Sequence, residues 1–492
     1  MIVQNFQNLG GANANISPLI QPQNSPVVLN GWNDGHKLGA LTKDPGYSRV
    51  STVIEAGKDI TGLFNFRQTG AEKMLATVND ATDDDTQLFY KAAAGAWTEI
   101  AAAETAWANK ANINVEMLAF LNYCFFVGYG ATDGYLPVAS LTGTTFSTST
   151  NVTDMPQGKF ILRYRDKMFV LHCHISGTTY PFRTYFSSVP AAGAITWTPA
   201  SDFLDVDYSE EITGGGVNWD RLVLFTDTNA YMYDESQFKL VWAIGCSNHR
   251  TICNQGPYMA WCDSNGVWIS TGGQPQNISG PLIDFIRNGS PRDFFATIVD
   301  EEYRLYIGTV TVDGVTYSNC ELRFDLARST TRWREYYDNM TIYATYNDSG
   351  KIRQYMGTDT GYVYNKAKYT DTTLISSDQY VDANNVGYPI AANFELAPFF
   401  LGSLDKKAFI KKMVAYSERA QGLNLYIRTI DRNLRVLTKW KPVGQLKDFV
   451  NVFDVDLKEG VMLQVSGSEN SKNPYASFYG YELEILPTAN SK

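Results

Sequence analysis

Basic residues are scarce in this chain. Its 41 Lys and Arg are outnumbered by 51 Asp and Glu, for a formal net charge of -10, so it carries no electrostatic footprint for wrapping nucleic acid. An acidic surface remains compatible with DNA that slides past without sticking. Charged residues of both signs amount to only 19% against 44% apolar ones, which excludes a disordered chain and leaves material for large cores. Long apolar runs are missing as well: the stretch Val115 to Val127 is broken by Glu116 and Asn122 and falls short of a bilayer span. The N-terminal MIVQNFQNLGGANANISPL has neither a basic region nor an apolar core, so no secretory signal peptide is expected and synthesis in a cytoplasm is. Cysteine is rare too. Six in 492 residues make no disulfide framework, and Cys124 (LNYCFFV) and Cys173 (VLHCHIS) sit in apolar runs where a reduced thiol is a small buried hydrophobe.

What the chain does have is aromatics and glycine: 30 Tyr, 26 Phe and 10 Trp beside 39 Gly. At that density they suit many short strands joined by tight turns, so the expected fold class is all-β. A unit recurs: an apolar or aromatic strand, a short polar turn, a second strand, then a segment ending in Trp or Tyr. Its instances begin near Ile60, Val115, Gly158, Ile212, Thr251, Phe294 and Thr341, with starts 39 to 55 residues apart. A four-stranded propeller blade takes roughly 40–50 residues and cannot bury both of its faces alone. Seven units therefore predict a seven-bladed β-propeller over 51–370, with stacked β-sandwiches as the alternative of similar strand spacing. Helix should be rare. The segment 92–107 (AAAGAWTEIAAAETAW) has good helix formers, but Gly95 and its flanking turn residues predict a loop or a short helix. After Lys368 the rhythm stops. Residues 375–492 carry longer alternating runs such as NLYIRTI and read as a separate C-terminal β-sandwich domain. Residues 1–50 hold turn signals (Gly10-Gly11, Asp34-Gly35, Pro45-Gly46) and are expected to be an extended segment packing on the propeller or the C-terminal domain.

Patterns that carry chemistry are few. His172 and His174 stand at i and i+2, which in a regular strand places both on one face. No third ligand neighbours them, and satisfied strand histidines are the simpler reading. Cys246, His249, Cys253 and Cys262 fall within 17 residues, but the spacing C-x2-H-x3-C-x8-C is unlike zinc knuckles, so free thiols in blade strands are expected. The acidic loop NDATDDD (79–85) offers Asp80, Asp83, Asp84 and Asp85 without the alternation and closing Glu of a calcium loop, and reads as a solvated turn. DFLDVDYSEE (202–211) reads as a charged edge that discourages further strand pairing. In CDSNGVW (262–268), Asp263, Gly266 and Trp268 echo a sialidase-type Asp box at the wrong offsets, and Asn265-Gly266 predicts a type I′ hairpin instead. There is no GxSxG, HExxH, P-loop or GxGxxG, and Gly214, Gly215 and Gly216 precede a strand rather than a helix. The two carboxylates of a glycosidase cannot be paired up from sequence among 51 acids. No catalytic, cofactor-binding or metal-binding residue is assigned, and no enzyme activity, cofactor or metal is expected.

Five groups of residues do point somewhere: LTKDPGYSRV (41–50) with RTYFSS (183–188), ITGGGVNWDRLVLFTDTNAYMYD (212–234), GVWISTGGQPQNISGPLIDFI (266–286), KKAFIKKMVAYSE (406–418) and FYGYELEIL (478–486). Together they resemble the β-propeller virion proteins of short-tailed bacteriophages. These are the tail hub or nozzle proteins, also called packaged-DNA stabilisation or head-completion proteins. The similarity is a loose pattern of turns and aromatics through most of the chain and carries no catalytic residue. It implies a propeller plus β-sandwich forming one subunit of a homohexameric ring in the virion tail, assembled in the host cytoplasm. That ring would extend the tail channel below portal and adaptor, retain packaged DNA and let it pass at ejection without sequence-specific binding, and present outer surfaces to fibres or spikes. Aromatic-rich loops suit the side-to-side contacts of a ring, and a net negative chain suits a lumen that repels phosphate. Two rivals stand beside this reading. One is a glycan-binding or glycan-cleaving propeller on a fibre or spike, with Trp219, Trp261, Trp268 and Trp333 stacking on sugars, although Trp in strands is more often core. The other, a WD40 or kelch scaffold, lacks a repeated WD dipeptide or a paired-Gly pattern.

Overall fold

Seven apolar strands, beginning at Ile60, Asn114, Gln157, Gly214, Cys253, Phe295 and Met340, each open an antiparallel meander of four strands. Each start lies within two residues of the one read from the repeat. The computed structural model describes residues 2–6, 26–30, 32–33, 41–44, 46–68, 71–80, 85–92, 95–327, 330–348, 351–366, 379–381, 387–389, 392–400, 408–418, 422–430, 436–460, 462–469 and 477–487. The chain is mostly β, 61% strand and 4% helix. The alanine-rich stretch yields one short helix, Ala101–Ala106, with Ala103 buried.

The sheets close on one another. The opening strand of each meander packs against the opening strand of the next, and that of the seventh packs against that of the first. One apolar cluster fills each of the seven spaces between neighbouring sheets. This arrangement explains why the second strands read as unbroken apolar runs. In a strand, neighbouring side chains point to opposite faces, and here both faces are dry. In CFFV, Cys124 and Phe126 join the cluster shared with the first sheet, while Phe125 and Val127 join the one shared with the third. In LVLF, Leu222 and Leu224 face the third sheet, and Val223 and Phe225 face the fifth. Trp261 and Met259 likewise face the fourth sheet while Ala260 and Cys262 face the sixth.

The seventh meander has only three strands of its own, and Tyr47–Arg49 supplies the fourth by pairing with Val363–Lys366. The ring is therefore closed by a strand from the N-terminal fifty residues. The sixth meander continues outward: Thr331–Glu335 meets Pro26–Asn30 in parallel through Trp333 and Asn30, and Pro26–Asn30 pairs with Ala392–Leu396. From there the sheet runs on through Met462–Glu469, Asn424–Ile430 and Lys441–Gln445. A second sheet sets Ala408–Glu418 between Val450–Gly460 and Ser477–Pro487, and the latter also takes Ile2–Phe6 and Leu41–Lys43. The two sheets share one core, with Phe394, Leu425 and Val465 from one meeting Met413, Phe478 and Leu483 from the other.

A buried ion cluster ties these parts together. Arg323 is 1% exposed, donates through Nε to Glu321 at 2.6 Å and also bonds Asp44. Glu321 accepts from the Tyr336 hydroxyl at 2.9 Å and from Gln354 at 3.2 Å, and Lys366 donates to that same hydroxyl at 2.8 Å. Burial by itself raises the Asp44 and Glu321 carboxyls, but Arg323 and Lys366 outweigh it and hold both well below the usual carboxylate range. Asp44 comes from the N-terminal segment, Glu321 and Arg323 from the sixth sheet, Gln354 and Lys366 from the seventh.

Candidate functional site

A cavity of about 620 Å3 lies at one end of the ring's axis. Every meander reaches it: Ile60, Asn114, Lys159, Phe295 and Thr341 in opening strands, Thr213 just before one and Ser247 in the segment leading to the fifth all line this space. Its floor is Arg250. The 3-10 turn His249–Thr251 starts at Asn248, whose side-chain oxygen accepts the Arg250 N–H at 3.1 Å. Asn248 also donates to the carbonyls of Arg292 and Phe294, at 2.7 and 2.9 Å, which fixes the turn against the sixth sheet. So anchored, Arg250 extends from the fifth sheet to the far side of the ring. Its Nε meets Glu116 at 3.0 Å, Nη1 meets Asn114 at 3.3 Å, and Nη2 donates to the Thr61 carbonyl at 2.6 Å. A second cavity of about 160 Å3 lies beyond it, also lined by Arg250. One guanidinium therefore divides the axis in two.

The rim is made of ion pairs. Lys159 donates to Glu211 at 2.7 Å while its ammonium lies 4.4 Å from the centre of the Tyr129 ring. Arg292 pairs with Asp227 at 2.8 Å where both are exposed. His172 Nδ1 stands 3.2 Å from Glu211 and 3.4 Å from the Ile212 carbonyl. Burial, aided by the nearby Lys159, pushes the His172 imidazole down to about 4, so it is neutral at pH 7. Burial raises the Glu211 carboxyl, but the Lys159 bond together with the neighbouring His172 and Arg292 outweighs it and holds the carboxyl below its ordinary value.

The residues singled out from sequence fall as follows. His172 and His174 do not share a regular strand face. A bulge between Leu171 and Cys173 puts His172 at φ 51, sends it inward to Glu211, and leaves His174 stacked on Tyr135 with centroids 4.9 Å apart. Cys246 and Cys262 are buried, Cys253 is half-buried, and all six cysteines are free thiols. Burial pushes the Cys246 thiol up to about 12, and it donates to the Asn248 carbonyl at 3.2 Å. His249 is half-buried and otherwise engaged: its Nδ1 accepts the Gly215 N–H at 3.2 Å and its ring packs on Phe160. Among the described residues no group of three or more His, Cys, Asp or Glu could hold a metal ion. Asp83 and Asp84 lie outside the described residues, and Asp80 and Asp85 pair across their hairpin. Phe203–Asp205 is the outer strand of the third sheet, with Asp205 gripped by Arg183 at 2.6 and 2.8 Å.

The hairpin at 263–266 differs from the expectation. Asp263 pairs with Gly266, so the loop is Ser264-Asn265, and neither has the positive φ of a type I′ turn. The Asp263 carboxylate accepts the Asn265 N–H at 2.8 Å and the Trp268 indole N–H at 2.9 Å, which stabilises this alternative. Gly266 is needed for φ +136 and because an added Cβ would sit 2.0 Å from the Ser279 hydroxyl. Of the four tryptophans offered for sugar stacking, Trp261 and Trp333 are core and Trp268 is half-buried; only Trp219 is exposed, at 63%. Arg250 and the cluster around Arg323 were not singled out from sequence, and Glu211 entered only as the end of the charged run 202–211. The last had a signal in the alternating charges of CELRFD and TRWREY.

No family model matches the chain, and no curated protein matches it. Among solved structures it is similar to the Pan2 WD40 domain of Neurospora crassa, at 8% identity and TM-score 0.41 over 67% of this chain and 97% of that one. It is similar to BBS1N from a complex with ARL6DN at 8% identity and TM-score 0.40, over 70% and 99%. It is also similar to an ancestral GH74 enzyme at 10% identity and TM-score 0.31, over 70% of this chain and 51% of that one. At such identities and TM-scores the likeness says nothing of activity. Among the described residues no helix is long and apolar enough to cross a membrane.

Proposed function

We propose that this chain is a non-enzymatic structural protein of a tailed-phage virion, a seven-bladed β-propeller (51–370) joined to a C-terminal β-sandwich (375–492). On this reading it is one subunit of a tail hub or nozzle ring, of six copies by analogy with the resemblance, that extends the channel below portal and adaptor. The observation that carries the reading is the joint between a closed ring of meanders and a two-sheet unit that share a continuous sheet. One of the segments that carry the resemblance spans that joint, and two more lie in the two-sheet unit. LTKDPGYSRV contributes Leu41–Lys43 to the C-terminal sheet and Tyr47–Arg49 to the ring, and KKAFIKKMVAYSE and FYGYELEIL lie side by side as paired strands.

Two further features support it. Arg250 closes the ring's own axis, so DNA would pass between copies and not through one. The strand Val450–Gly460 is at the edge of its sheet among the described residues, and Phe449, Val450 and Val452 are 60%, 48% and 57% exposed beside it. An apolar edge of that kind suits a heterologous contact in a closed ring. Light scattering on the purified chain, followed by negative-stain imaging, tests the reading. A ring with a hole about as wide as a DNA duplex is expected, and Phe449→Asp with Val452→Asp should disperse it. A chain that stays monomeric at high concentration and cleaves host polysaccharide would replace this reading with the glycan-active one.

A further inference from the structure

We propose that the indole of Trp219 is a stacking platform for one neutral hexopyranose unit of a glycan. The inference concerns binding alone and stands apart from the virion reading, since neither a ring nor a monomer in solution bears on it. Trp219 and Asp220 are the two central residues of the hairpin that joins Gly214–Asn218 to Arg221–Phe225, at the end of the ring away from the axial cavity. Both have positive φ, 48 and 58, as a type I′ turn requires, a role that Asn-Gly fills without strain. A bulky L side chain in the left-handed region is disfavoured, and such outliers cluster at binding and catalytic sites. Trp219 is also 63% exposed, so its own burial does not offset the strain.

The indole is supported from beneath. A Cβ added to Gly272 would lie 2.8 Å from Cδ1 of Trp219, 3.1 Å from Nε1 and 3.2 Å from Cγ. Such near-equal spacings place that carbon over the face of the ring, because a contact in the ring plane would leave Cγ and Nε1 much farther off than Cδ1. One face of the indole therefore rests on the Gly272 backbone, and its exposure is that of the other face. Gly272 has φ +96, and its N–H donates to the Ser270 hydroxyl at 3.2 Å. The same hydroxyl donates to the Gly273 carbonyl and accepts from the Asn218 side chain, both at 3.0 Å. On the other side of the turn the Tyr164 hydroxyl donates to the Asp220 carbonyl at 3.0 Å, and Arg165 bonds the carboxylates of Asp220 at 3.1 Å and Glu235 at 2.7 Å. The platform is thus in place before a ligand arrives, which lowers the ordering cost of binding.

The surroundings select the ligand. Cores of protein interfaces are depleted of charge, whereas this ring is bordered by Arg165, Asp220, Glu235 and a glycine backbone, so a flat apolar partner would desolvate the ions. A nucleotide would bring phosphate to Asp220 and Glu235, and Arg165 is already committed to both. A quaternary ammonium is recognised by a cage of several aromatic rings, and among the described residues no ring contact joins Trp219 to a second aromatic. A pyranose fits both halves of the site, with a C–H face for the indole and a rim of hydroxyls for directional hydrogen bonds. For that rim, the side chains of Thr271 and Gln274, exposed in the same loop as Gly272, have no hydrogen-bond partner among the described residues. The Asp220 carboxylate also keeps lone pairs beyond those given to Arg165.

Saturation-transfer difference NMR on the full chain tests this with methyl β-D-glucopyranoside, methyl β-D-galactopyranoside and methyl α-D-mannopyranoside. Glycerol is the control for hydroxyls without a ring, choline for cation binding and AMP for base stacking. At least one pyranoside is expected to bind with Kd on the order of 1 mM, the scale of one small ring on one platform, and the controls to give no saturation transfer. Trp219→Ala should weaken that pyranoside by more than about tenfold and Trp219→Tyr, which keeps an aromatic face, by no more than about threefold. Both variants should keep the wild-type Tm to within about 2 °C, since the side chain is exposed. Gly272→Ala should weaken binding by roughly fivefold by pushing the indole off its support. No binding of any of the three pyranosides overturns the proposal. So does affinity that survives Trp219→Ala unchanged, which would place the sugar elsewhere, or Trp219-dependent binding of choline or AMP as tight as that of the sugar, which would give the platform to another class.

Discussion

Replacing Arg323 by Met should loosen one sector of the ring and leave the rest intact. Methionine keeps the length of the side chain and removes the guanidinium that joins Glu321 to Asp44, where all three groups are no more than 1% exposed. Removing one partner of a buried ion pair costs roughly 3–5 kcal/mol, because the group left behind keeps its desolvation penalty. At about 1.4 kcal/mol per decade, that loss lowers the protection of amides exchanging through local opening by a hundredfold to several thousandfold. Hydrogen exchange with mass spectrometry should show it in peptides from 295–335 and 340–366 and in the closing strand Tyr47–Arg49. Peptides from 114–205, in the second and third meanders, should keep their protection. The loss also has a pH signature. The Asp44 and Glu321 carboxyls are depressed in the folded state, so their contribution is complete above their unfolded values of about 4 and fades as pH falls toward the folded ones. The gap between wild type and variant should therefore be full at pH 7 and begin to narrow only below about pH 4. Asp44→Asn combined with Arg323→Met should cost less than the two single changes added together, since both break the same bond. Protection lost evenly around the ring, or by less than about fivefold in the sixth and seventh meanders, would refute the reasoning.

Three further outcomes follow from the geometry. His172 has its imidazole lowered to about 4 from 6.5, so folding stability from its neutral form is complete above 6.5 and lost between 6.5 and 4. His172→Gln should spare the protein about 3 kcal/mol of that acid loss, seen as a flatter dependence of Tm on pH over the same window. Gly266→Ala should destabilise by roughly 2–3 kcal/mol, through the clash with Ser279 and the positive φ, and a fall in Tm measures it. Incubation with EDTA should shift Tm by less than about 1 °C, and Cys246 and Cys262 should resist iodoacetamide at pH 8 until the chain unfolds, because burial keeps their thiols protonated.

Strand positions were legible because they are local. The switch from turn residues to unbroken apolar runs marks where an inner strand starts, and the double burial of CFFV and LVLF is the physical reason those runs lack alternation. What depended on contacts between distant residues was not legible. Nothing in YSR announces that residues 47–49 pair with residues 364–366, and nothing in SNHRT announces that Arg250 crosses to Glu116, 134 residues earlier. His172 and His174 show the limit within one strand: period two held until a single bulge turned one ring inward. The Asn265-Gly266 hairpin failed for a similar reason. The dipeptide favours one turn, but an Asp263 carboxylate that captures Asn265 and Trp268, and a hydroxyl from residue 279 against Gly266, select another.

The same long-range contacts give the chain a mechanical property. Among the described residues the ring and the C-terminal sheets are coupled through the parallel contact of Asn30 with Trp333, through the closing strand Tyr47–Arg49, and through the bonds of Asp44 to Arg323 and Arg334. All three fall on the sixth and seventh sheets, and none falls on the second to fifth. Load applied to the C-terminal sheets is therefore transmitted to one sector, and that sector is where the ring relies on a strand borrowed from elsewhere in the chain. A meander closed by its own third and fourth strands can open alone, whereas the seventh opens only if the N-terminal segment leaves with it. The ion cluster lies at that seam, where an apolar contact would tolerate sliding and a hydrogen-bonded charge network holds one register. On the virion reading, this charge network would lie between the part that would contact neighbours through the exposed Phe449 and Val452 and the ring that would carry fibres or spikes.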